Sequence, residues 1–79
     1  MKYYAVEVDE RGYGELPYIN RTLYKSFERA MQFCYTRARL SWHLESFYPD
    51  DIRESNDGLV LFSNGEIEAS YRIIEMFTE

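Results

Sequence analysis

Asp50, Asp51, Glu54 and Asp57 form the densest group of carboxylates in the chain. Such a group can bind a divalent cation or present a negative surface. A calcium loop needs ligands at alternating positions, a central glycine for its sharp turn and a closing glutamate. None of these is in place, so the group reads as a solvated acidic surface, with no metal and no cofactor expected. Paired carboxylates that do acid–base work need a pocket to push their pKa values apart, and 79 residues enclose little interior for one. His43, the single histidine, falls near the end of a helical stretch, where a cation complements the free carbonyls. Cys34, the single cysteine, lies in an apolar stripe and reads as a small hydrophobe. One cysteine excludes an internal disulfide and a cysteine-based zinc site. Gly12 and Gly14 lack the further glycine and the lysine of a phosphate loop. No Gly-x-Ser-x-Gly or Cys–His nucleophile arrangement is present. The chain is expected not to be an enzyme.

Cations gather in the middle of the sequence. Residues 21–44 carry Arg21, Lys25, Arg29, Arg37 and Arg39 against Glu28 alone, whereas residues 45–79 carry Arg53 and Arg72 against nine carboxylates. Arginines with interleaved aromatics can hold phosphates and stack bases, which makes nucleic-acid binding through the central helix the alternative function. The net charge of −5 opposes it, because nucleic-acid domains are usually basic. The acidic ends of the same chain also offer these arginines partners.

Eight tyrosines, five phenylalanines and one tryptophan stand in the chain. A domain of this size buries only about 60% of its unfolded surface, and each large aromatic can bury roughly 150–250 Å². Phe27, Phe33, Trp42, Phe62, Tyr4 and Tyr71 are therefore assigned to the core. Tyr13, Tyr18, Tyr24 and Tyr48 fall in loops beside charge, where tyrosine serves recognition. With Asp50, Asp51, Glu54, Asp57, Glu66 and Glu68 they make up the expected partner-binding set. A negative surface with aromatic anchors suits a protein partner with a basic surface, for instance one that normally holds nucleic acid.

The elements that must position these residues follow from periodicity. Tyr3 to Val8 alternates as a strand, followed by a turn through Gly12 and Gly14. Glu15 to Ile19 returns as a short strand, which Pro17 confines to an edge. Ser26 caps a helix with Glu28 in its first turn, and Phe27, Ala30, Met31, Cys34, Ala38 and Trp42 form its buried stripe. Phe33, Leu40 and Leu44 widen the apolar face beyond that stripe. Residues 45–57 read as an acidic connection, with Pro49 able to open one helical turn. Gly58 to Ser63 and Glu66 to Phe77 make a hairpin about the type I′ turn Asn64-Gly65, with Val60 facing Ala69 and a bulge or a change of burial near Ile73-Ile74. The expected fold is a single α+β domain, an antiparallel sheet of three to four strands with one central helix packed on one face. An exposed sheet edge could pair two copies into a homodimer. The chain lacks the apolar run of a signal peptide or membrane span, so a cytoplasmic location is expected.

In size, acidity and single-domain α+β pattern the chain resembles the small phage-encoded proteins that block host defences, anti-CRISPR proteins among them. The resemblance extends over the whole chain in general character, without a shared motif. It implies an inhibitor of a nucleic-acid-handling complex such as CRISPR-Cas.

Overall fold

In the computed structural model, which describes residues 1–77, the alternating segment at the start of the chain forms β1 (Lys2–Asp9). A 3₁₀ turn (Arg11–Tyr13), the two-residue strand β2 (Tyr18–Ile19) and helix α1 (Phe27–Glu45) follow. Strands β3 (Asp51–Ser55), β4 (Gly58–Ser63) and β5 (Glu66–Phe77) complete an α+β fold. The five strands are antiparallel in the order β2-β1-β5-β4-β3. At the centre β1 and β5 pair without interruption from Lys2↔Phe77 to Asp9↔Ser70.

Ser26 starts α1 as expected: its hydroxyl accepts the Arg29 N–H at 3.2 Å, with Glu28 in the first turn. Ser46 ends the helix in the left-handed conformation, and its N–H returns to the His43 carbonyl. Ala30, Cys34 and Ala38, spaced four apart, are fully buried and let the helix lie close to the sheet. Beneath them pack Val6 and Val8 of β1, Leu59 and Leu61 of β4, and Ala69, Tyr71 and Ile73 of β5. Phe27, Phe33, Trp42 and Tyr4 are half-buried against the margin of this core. Phe62 lies outside it, on the open face of the sheet beneath the Arg53 guanidinium, 4.6 Å from the ring centre. Leu40 and Leu44 are exposed, so nothing in the described chain covers that flank of the helix.

Besides Phe62, three features depart from the sequence reading. Strand β2 spans only Tyr18–Ile19, so Glu15, Leu16 and Pro17 precede it instead of lying within it. Residues 51–55 are the edge strand β3 rather than part of a connection, and no helical turn opens at Pro49. Ile52 is the only apolar residue in β3, so no hydrophobic alternation marks the strand. The hairpin bulge sits between Leu61 and Phe62, and near Ile73-Ile74 it is the burial that changes, with Ile73 buried and Ile74 half-buried. Leu61 faces Ala69 and Phe62 faces Ile67, which leaves Glu68 as the extra residue and sets Val60 opposite Ser70. The extra residue changes which side of β5 meets the helix. Ala69, Tyr71 and Ile73 thereby join Leu59 and Leu61 under α1, where an unbulged hairpin would have placed Glu68 and Ser70. Ile73 and Ile74 are both apolar because one faces the helix and the other lies beside Ala5 on the open face.

The β1 edge is closed from Tyr4 to Val8. Beyond β2, Asn20 donates to the Val6 carbonyl, and Tyr24 exchanges backbone bonds of 2.8 and 2.9 Å with Tyr4. Among the described residues no helix is long and apolar enough to cross a membrane.

The buried position of Cys34 predicts its reactivity. Burial pushes its thiol up to about 11, and it lies sealed between helix and sheet. A thiol reagent such as DTNB at pH 8 is expected to leave native Cys34 unlabelled and to label it fully in denaturant. Labelling of the native protein within seconds would contradict this packing.

Candidate protein-interaction site

Beyond β1 the chain turns inward. Glu10 is only 2% exposed, and its carbonyl accepts the N–H groups of Tyr13 (2.9 Å) and Glu15 (3.3 Å), which folds the 3₁₀ turn back on itself. Its carboxylate enters the layer between helix and sheet. Oε1 accepts from Arg37 at 2.8 Å. Oε2 accepts from the Tyr71 hydroxyl at 2.6 Å and from the Ser41 hydroxyl. Arg37 and Ser41 are one turn apart on α1, and Tyr71 stands on β5. Burial pushes the Glu10 carboxyl up, but the bonds from Arg37, Ser41 and Tyr71 and the Arg37 charge outweigh it and hold the group below its usual range. The same burial and the bond to Glu10 push the Tyr71 hydroxyl far up. An unpaired charge here would cost several kcal/mol; three donors make the site tenable.

This turn carries one wall of an aromatic and acidic end of the molecule. The half-buried Tyr13 ring meets Phe47 edge-on, with centroids 6.4 Å apart, and its hydroxyl donates to the Phe47 carbonyl at 3.4 Å. Burial, with Glu68, Glu10 and Glu45 nearby, pushes that hydroxyl up to about 12. His43 meets Tyr48 edge-on at 5.7 Å. Phe47 and Tyr48 are 48% and 60% exposed, large values for side chains of this size. Asp50 accepts the Asn64 N–H at 2.8 Å, fastening residues 47–50 to the β4–β5 turn, where Asn64 and Gly65 both hold positive φ as a type I′ turn requires. Glu66 follows, exposed. Glu68 is buried in the bulge; burial raises its carboxyl, with the Ser63 bond opposing and the Asp50 charge adding. Gly12 lies against it so closely that a Cβ there would sit 2.4 Å from the Glu68 carbonyl oxygen. Only glycine permits that approach.

Of the residues marked by the sequence, Tyr13, Tyr48, Asp50, Glu66 and Glu68 come together at this end. Asp51 stands beside it at the start of β3, paired with Arg53 at 2.8 Å. Glu54 lies further along β3 and accepts from the Tyr35 hydroxyl at 2.8 Å. Asp57 is in the β3–β4 turn and accepts from Ser55 at 3.0 Å. Tyr18 and Tyr24 belong to the opposite edge of the sheet, Tyr18 exposed on β2 and Tyr24 half-buried against Phe33, with ring centres 5.8 Å apart. Sequence reasoning missed Phe47, hidden in a segment read as a connection. It also missed Glu10, whose neighbours Asp9 and Arg11 mark it as one more charge in a polar turn. Among the described residues no three His, Cys, Asp or Glu side chains come together as a metal-ion site.

The Glu10 cluster gives stability a defined pH dependence. A carboxyl held below its unfolded value stabilises the fold above that value, near 4.5, and the contribution disappears as pH falls through the native value. Glu10→Gln is expected to lose about 2–3 kcal/mol at pH 7, discounted for the partly exposed Arg37. In urea melts the gap to the wild type should narrow between pH 5 and pH 3. A gap that stays constant with pH would show that the carboxylate charge is not what stabilises.

The chain matches no protein-family model, and no curated protein or solved structure shows significant similarity to it.

Proposed function

We propose that this protein is a non-catalytic protein-binding module of the cytoplasm. In this reading it acts as a small inhibitor or regulator that occludes a basic, nucleic-acid-handling surface of its partner. A host-defence complex of the CRISPR-Cas type is one such partner. The observation that carries the reading is the exposed pair Phe47 and Tyr48, set among Glu45, Asp50 and Glu66 at one end of the molecule. Exposed aromatics serve as anchors that bury large area at low entropic cost. The surrounding carboxylates steer encounter with a positive surface and disfavour negative ones. An interface of standard size takes roughly 800 Å² from each partner, a modest share of the 5524 Å² that the chain exposes. One end of the molecule can supply it.

The basic helix supports direct nucleic-acid binding less well. Arg37 is committed to Glu10, and Arg39 donates to the Tyr35 carbonyl within its own helix. A phosphate contact by Arg37 would leave a buried carboxylate uncompensated.

The test is a quantitative capture from cells of the source organism, comparing the wild type with a Glu45→Lys, Tyr48→Ala, Glu66→Lys variant whose fold is checked by circular dichroism. The expected captured proteins bind nucleic acid, are released by added single-stranded oligonucleotide, and are lost with the variant. Equal capture by the variant, or capture indifferent to oligonucleotide, would overturn the reading. Direct binding of single-stranded DNA by the purified protein at low salt would favour the arginine helix instead.

A further inference from the structure

The two edges of the sheet are unlike. The β1 edge is closed by β2, Asn20 and Tyr24, but β3 ends the sheet on the other side, with no strand beyond it among the described residues. The backbone phase of that edge follows from two observations. Ile73 donates to the Asp57 carbonyl, and Gly58 pairs with Arg72. Residues 59 and 61 of β4 therefore bond to β5, and residues 58, 60 and 62 bond to β3. Their partners Ser55, Arg53 and Asp51 turn their N–H and C=O groups inward. Those of Ile52 and Glu54 face away from the sheet. Helix α1 packs over β1, β4 and β5. Alongside β3 it leaves a groove of about 550 Å³ lined by Phe27, Met31, Tyr35 and Glu54, and Ile52 is 42% exposed.

The charge order of this edge reads the same way, with sign reversed, from either direction about Ile52: Asp51 precedes it and Arg53 follows. From this we infer that two copies of the chain pair through β3 in antiparallel fashion about a twofold axis at Ile52, making one ten-stranded sheet. In that register Ile52 exchanges both backbone bonds with its own counterpart. Asp51 of each copy stands directly opposite Arg53 of the other, twice by symmetry, and the two Ile52 side chains meet beside the grooves. Neighbouring registers lose this match: a shift of one residue sets Asp51 against Glu54, and a shift of two sets Arg53 against itself. The same register brings Glu54 level with Asp50, two carboxylates that also bond within their own chains to Tyr35 and to the Asn64 N–H; the paired Asp51–Arg53 contacts, which each chain also makes internally, must outweigh that repulsion. The antiparallel arrangement would point the two aromatic ends in opposite directions along the paired strands. The inference stands on the edge alone, independently of what the aromatic end binds.

Sedimentation equilibrium at 0.15 M salt tests it. The wild type should show a concentration-dependent dimer of twice the 9.5 kDa chain. Asp51→Arg and Arg53→Asp should each weaken self-association at least about tenfold by placing like charges opposite one another, while an equimolar mixture of the two restores a dimer, now mixed. Ile52→Pro removes one outward N–H, leaves the β3–β4 ladder intact and should give a monomer. A wild type that stays monomeric to millimolar concentration would overturn the inference. So would a dimer that all three variants preserve, or a mixture that fails to associate.

Discussion

A carboxylate taken out of water must find donors, and Glu10 finds its donors only when distant parts of the chain are in place. Arg37, Ser41 and Tyr71 lie 27, 31 and 61 residues away along the sequence. They belong to a helix face and to the central strand β5. The constraint is therefore one of register. Sliding α1 by one turn in one direction would bring Ser41 and Glu45 where Arg37 and Ser41 now stand, setting two carboxylates together. Sliding it the other way would offer Phe33 and Arg37 and lose a hydroxyl. The line of Ala30, Cys34 and Ala38 is smooth and would tolerate such shifts sterically. Close packing brings the helix to the sheet, and the Glu10 cluster decides where along the sheet it rests.

The same residue connects the interior to the surface. Its carboxylate is held between the layers, while its backbone carbonyl holds the amides of Tyr13 and Glu15. Tyr13 in turn supports Phe47, and Asp50 fastens the following residues to the β4–β5 turn. The aromatic end is thus braced from three sides, by the turn after β1, by the helix terminus and by the hairpin tip. Preorganised aromatics lose little freedom on binding. In the proposed reading, the two large aromatic side chains on this negatively charged end are what a positively charged partner would engage.

The sequence made most of the architecture legible because the strongest signals were local. The Ser26 cap, the 3.6-residue stripe of α1 and the Asn64-Gly65 turn each depend on a few adjacent residues, and each stands where those residues put it. What stayed hidden depended on pairing across the chain. Strand β3 has almost no apolar pattern because both of its faces meet solvent, so it exists by hydrogen bonding to β4. The bulge at Glu68 follows from the need to bring Ala69, Tyr71 and Ile73 under the helix, which is a property of the packed sheet. Glu10 reads as solvated when only Asp9 and Arg11 are considered, and its burial is set by Arg37, Ser41 and Tyr71. Of the site, Tyr13, Tyr48, Asp50 and Glu66 were legible as aromatics and acids in loops. Phe47 was not, because nothing local shows that Tyr13 will reach it.

The Glu10 carboxylate holds the turn on which the aromatic end is built. Amide hydrogen exchange in Glu10→Gln tests this most directly, because the substitution leaves the backbone carbonyl in place. The Tyr13 and Glu15 amides should lose protection at least about tenfold more than the Leu61 amide in the core of β4. Equal loss at all three amides, or no loss at Tyr13 and Glu15, would contradict it.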